Sequence, residues 1–126
     1  MRAIWMLTLA PAVMLLAGCG AEDTDAPVRP FVTDGVHFAL TPSAARDCDP
    51  GTVYEAEVGW QVTRAGRVRI DIRVDGEDGQ LFVRSNEAEG SARTGPWVRR
   101  GMWFMLIDRD SGQVLAAQRA GPETCD

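Results

Sequence analysis

Lysine is absent from this chain: all thirteen basic residues are arginine, against eighteen Asp and Glu, for a net charge of −5. An acidic balance argues against nucleic acid as a partner, because neutralising phosphates needs a basic footprint. Histidine is nearly absent too. His37 is alone and lies in an expected strand, and no serine stands in a G-x-S-x-G setting, so nucleophilic hydrolysis has little to work with. The single histidine and the lack of closely spaced cysteines also leave no transition-metal site. No cofactor is called for, and the reading is of a protein that is not an enzyme. Long hydrophobic runs are missing as well. The apolar stretch from Ala3 to Ala17 falls short of the roughly 20 residues that span a bilayer.

That stretch instead has the shape of a secretory signal peptide, with Arg2 before an apolar core. It ends in Leu16-Ala17-Gly18-Cys19, which resembles the lipobox of bacterial lipoproteins. The resemblance implies cleavage after residue 18 and a diacylglycerol thioether on Cys19. Each buried methylene of such an anchor contributes about 0.8 kcal/mol. In Gram-negative lipoproteins an Asp after the lipidated cysteine retains the protein at the inner membrane. Here Gly20 follows, which points to the outer membrane, facing the periplasm or the cell surface.

With Cys19 assigned, Cys48 and Cys125 remain. An even pair in an exported chain is expected to form a disulfide joining the start of the domain to its end. The organisation expected is therefore a signal peptide over 1–18, a lipidated cysteine and extended acidic tether over 19–34, and one domain over 35–126.

Within that domain the pattern is of strands. Val36–Leu40 reads as the first. In the run from Thr52 to Val62, Tyr54, Ala56, Val58, Trp60 and Val62 share one face, with Glu55, Glu57, Gly59 and Gln61 on the other. Val68, Ile70, Ile72 and Val74 alternate likewise with Arg67, Arg69, Asp71 and Arg73. This is period 2, with one face buried and one wet. The arginines are expected to pair across strands with Glu55 and Glu57. Asp75 to Gly79 is a turn; its acidic residues Asp75, Glu77 and Asp78 lack the closing Glu of a calcium loop, Asn86 standing there instead. Gln80–Ser85 is a short strand, Gly90–Gly101 a strand-poor crossing, and Met102–Asp108 with Gln113–Ala120 a hairpin. About seven short strands without a helix indicate an all-β sandwich.

The C-terminal half carries Gly90-Ser91-Ala92, Thr94-Gly95, Trp97-Val98, Gly101, Phe104, Leu106, Asp108, Ser111-Gly112 and Leu115-Ala116. This series resembles the second half of bacterial immunoglobulin-like domains; the Thr41–Cys48 segment is similar to their first edge strand and Trp60 to their strand tryptophan. The resemblance implies an immunoglobulin-like sandwich used as a spacer or binding unit. It also implies that the first edge segment and the last strand run parallel, which would let Cys48 meet Cys125.

The same pattern turns Phe104 and Leu106 inward, so Trp103, Met105 and Ile107 are expected on the outer face, with Trp97 extending that strip or capping the sandwich edge. Two arrangements suit such a strip: cover by Phe31 and Val32 of the tether, or contact with a protein partner in the envelope. The expected function is a membrane-anchored binding or adaptor lipoprotein. The alternatives are an inhibitor of an envelope hydrolase such as a lysozyme, and a glycan-binding module.

Overall fold

The computed structural model describes residues 29–125. The expected signal peptide, Cys19 and the expected tether up to residue 28 lie outside the described residues, as does Asp126.

Ten strands follow one another among these residues: β1 (Phe31–Val32), β2 (Val36–Thr41), β3 (Val53–Tyr54), β4 (Glu57–Val62), β5 (Ile70–Val74), β6 (Gln80–Ser85), β7 (Glu89–Arg93), β8 (Val98–Arg99), β9 (Trp103–Asp108) and β10 (Val114–Arg119). They form one sheet in the order β1-β10-β9-β5-β6, a second in the order β2-β4-β7, and a small β3–β8 ribbon. Every strand pairing is antiparallel. The fold is the all-β, immunoglobulin-like sandwich that the alternation indicates. The seven longer strands match the expected number, and β1, β3 and β8 are two-residue additions to them.

The core follows directly from the period-2 pattern. Val36, Phe38 and Leu40 of β2 and Val58, Trp60 and Val62 of β4 face Ile70 and Ile72 of β5, Phe104 and Leu106 of β9, and Leu115 and Ala116 of β10. Full burial of each large side chain contributes about 1.5–3 kcal/mol relative to exposure. The run from Thr52 to Val62 breaks after Tyr54 rather than forming one strand, yet its inward set keeps its parity. Ala56 takes no strand pairing there. Its N–H donates to Thr94 Oγ1 at 2.9 Å, and that buried hydroxyl donates to the Gly95 carbonyl at 2.8 Å.

Gly90–Gly101 is not strand-poor. It supplies most of β7 and all of β8, and Gly90 sits against the Trp60 indole. A Cβ at Gly90 would lie 2.5 Å from Trp60 Cζ2, so only glycine lets the tryptophan lie flat under β7. Trp60 Nε1 donates to the Glu87 carbonyl at 3.0 Å, which satisfies the buried indole. The β9–β10 hairpin is closed by Asp108, whose carboxylate accepts from Ser111 Oγ at 2.7 Å and Arg64 Nη2 at 3.2 Å.

Cys48 and Cys125 form a disulfide, with Cα atoms 5.9 Å apart. Alongside, Ala44 and Gly121 make a parallel bridge, Ala45 N–H donating to the Gly121 carbonyl and Gly121 N–H to Ser43, each at 2.9 Å. The first edge segment and the chain end are therefore parallel neighbours. Closing a loop of this length contributes about 4–5 kcal/mol in the chain-entropy account.

Phe31 and Val32 pair with β10 as β1, through Phe31↔Ala117 and Val32↔Ala116. The arginines of the 67–73 run do not face Glu55 and Glu57, which belong to the other side of the sandwich. Arg69 pairs with Asp110 at 3.7 Å and Arg73 with Asp71 at 3.6 Å, while Glu55 pairs with Arg93 at 3.7 Å. His37 lies in the strand expected for it, exposed on β2 opposite Gln61.

Candidate functional site

The outward strip of β9 occupies the parity expected of it but is not bare. Met105 is 2% exposed and Ile107 9%, and together with Ala117 of β10 they form a second apolar cluster on the outer face of the five-stranded sheet. Val114 and the half-buried Trp103 pack against it. The residues flanking Met105 are Ala117 on one side and Arg73 on the other; Ile107 lies between Val114 and Asp71. Phe31 and Val32 do not cross over the strip. They lie at the sheet edge as β1, with Phe31 opposite Ala117. Met105 and Ile107 are thus core residues of a small outer cluster, and neither offers area to a partner. Trp103 retains some accessibility, but the Arg119 guanidinium lies over its ring, 5.8 Å from the centroid.

Trp97 does not join that strip; it caps the sandwich edge. Its ring stacks on Phe104 at 6.2 Å with planes 18° apart, and meets Phe82 edge-on at 5.6 Å. Such pairs add about 0.5–1.5 kcal/mol beyond the area buried. The position follows from the chain path, since Trp97 immediately precedes β8 and is held facing edge strand β6.

Between β6 and β8 a cleft of about 490 Å³ opens, lined by Trp97, Phe82, Val74, Leu81 and Met102 among others. Asp75 and Arg99 supply opposite charges to its lining. The β5–β6 turn shapes one wall. Asp75 adopts a left-handed φ of 67°, and its carboxylate accepts from the Trp103 N–H at 3.3 Å. At Gly79 any Cβ would collide with the Val74 carbonyl, so the turn closes only with glycine. Leu81 is 39% exposed, one of the few large apolar side chains that are. An apolar concavity with a few convergent polar groups has the make-up of a ligand or side-chain pocket.

Of the residues weighed as candidate site residues in the sequence, the fold brings Trp97 and Asp75 to this cleft. Leu81 with Phe82 and Arg99 with Met102 come from two separate segments, and nothing in their local pattern marks them as neighbours. No group of three or more His, Cys, Asp or Glu side chains able to share a metal ion occurs among the described residues. Comparison with known proteins finds no matching family model, no similar curated protein and no similar solved structure.

Proposed function

We propose that the chain is a non-catalytic binding or adaptor module of the bacterial cell envelope, carried on a lipid anchor at Cys19 and engaging a protein partner through the Trp97 cleft. The observation that carries this reading is the cleft itself, lined by the aromatic rings of Trp97 and Phe82, an exposed Leu81, and one cation and one anion. Aromatic side chains, Met and Arg are the groups enriched where protein interfaces bury their centre. The pocket suits an aliphatic or aromatic anchor side chain flanked by a carboxylate that pairs with Arg99.

A protein partner fits better than a sugar. The opposite charges of Asp75 and Arg99 in the lining suit the charged side chains of a polypeptide better than a neutral sugar. The acyl anchor would hold the module at the membrane while the cleft remains free to bind.

Two substitutions test the reading. Leu81→Asp and Arg99→Glu change exposed cleft residues and should leave thermal stability within a few degrees of wild type. Each is expected to weaken capture of the envelope partner by about tenfold or more. Undiminished capture by both folded variants removes the cleft as the contact site.

A further inference from the structure

On the outer face of the five-stranded sheet, three arginines converge on one carboxylate. Asp71 of β5 is 4% exposed. Arg84 of β6 grips it with a fork, Nε at 2.8 Å and Nη2 at 2.9 Å. Arg73 and Arg109 each approach the same carboxylate at 3.6 Å. One negative charge among three positive ones leaves a local surplus of cation on a chain whose net charge is −5. The adjacent Arg69 and Asp110 form a pair of their own at 3.7 Å and do not remove that surplus.

The three guanidiniums are also held in place. Arg109 Nη2 donates to Asn86 Oδ1 at 2.8 Å, and Arg73 Nη1 donates to the Gly79 carbonyl at 2.9 Å. Arg109 Nη1 is buried and has no hydrogen-bond acceptor among the described residues, meeting Asp71 only at 3.6 Å. The Arg109 side chain is 23% exposed, so an anion at the open edge of the cluster would add compensation that Asp71 alone does not supply. The Arg84 side chain, 53% exposed, turns its remaining surface to solvent.

From this arrangement we propose that Arg73, Arg84 and Arg109, organised by Asp71, form a binding site for a phosphate-class dianion on the outer face of the sheet. A doubly charged tetrahedral anion matches both the charge surplus and the several donors. With Nε and Nη2 of Arg84 engaged by Asp71, its planar guanidinium is held in one orientation and presents its remaining N–H donors to such oxygens. The carboxylate has a positioning role: it gathers guanidiniums that would otherwise repel one another. The site is independent of the Trp97 cleft.

The test is titration of the full chain with inorganic phosphate, followed by calorimetry or phosphorus NMR at low ionic strength. Saturable binding is expected, weakened about tenfold or more in Arg84→Gln and unchanged in Arg93→Gln, a control arginine on the other sheet. Arg84→Lys keeps a charge beside Asp71, and with it the fold, but loses the fork. It is expected to bind phosphate several-fold more weakly than wild type. Competition by phosphatidylcholine vesicles containing phosphatidic acid would assign the site to a lipid headgroup. Phosphate binding without such competition would assign it to a free or protein-borne phosphate, and either result supports the site. Absence of saturable phosphate binding, or equal affinity in wild type, Arg84→Lys and Arg84→Gln, overturns it.

Discussion

Replacing Met105 by alanine separates the two roles open to the β9 strip. If the side chain faced a partner, its loss would leave the free domain as stable as before. At 2% exposure, packed with Ile107 and Ala117, it is instead expected to leave a cavity. Met→Ala in a core costs about 2–5 kcal/mol. The outer cluster is small, and the half-buried Trp103 beside it has room to relax, which places the expectation at the lower end, about 2–3 kcal/mol. For a domain of this size that corresponds to a fall in Tm on the order of 10–20 °C. Leu81→Ala, at a site 39% exposed, serves as the control and should stay within about 0.5 kcal/mol of wild type. Urea titration is the assay: the midpoint should drop for Met105→Ala with the slope preserved. A midpoint equal to that of Leu81→Ala would show that Met105 is not a core residue.

Other outcomes follow from the same contacts. Gly90→Ala pushes a methyl group into the Trp60 indole and should cost about 1–3 kcal/mol, read in the same titration. Acid should destabilise the domain through two carboxyls whose folded pKa values lie below the ordinary 3.8. Asp71 is lowered by hydrogen bonds from Arg84, against burial, with the charges of Arg84, Arg109 and Arg73 assisting. At Asp108 burial pushes upward, but hydrogen bonds from Ser111 and Arg64 outweigh it. Because both are depressed, their stabilisation is complete above the unfolded value and is lost as pH falls through the folded one. Tm should therefore drop as pH descends past 3.8, and Asp71→Asn should flatten that drop. Metabolic labelling with a palmitate analogue is expected to mark the wild-type chain and to vanish in Cys19→Ser; retained label would refute lipidation at that residue.

Most of the fold was legible because two periodicities are nearly unbroken. The alternation from Tyr54 to Val62 and from Val68 to Val74 specifies faces, and the Gly112-containing turn specifies the last hairpin. The pairing of Cys48 with Cys125 followed from parity together with the oxidising compartment expected of an exported chain. The strand in Glu89–Arg93 was obscured because its inward positions are Gly90 and Ala92. A strand that must lie flat on Trp60 has no large apolar residue to announce it. The parity of Met105 and Ile107 was readable, but their burial was not, since it depends on neighbours from β5 and β10. The arginine partners were misassigned for the same reason: alternation shows which residues share a face, not which strand lies beside them. The cleft was the least legible feature, being assembled from the 74–82 turn region, Trp97 and the 99–102 loop.

The most direct measurement is position-resolved photocrosslinking in living cells, with a photoreactive residue placed at Leu81 on the cleft or at Gln61 on the outer face of the β2-β4-β7 sheet. A partner seated in the Trp97 cleft should give a discrete crosslinked product from position 81 and none from position 61. Products of equal yield from both positions, or from position 61 alone, would contradict a binding module that works through this cleft.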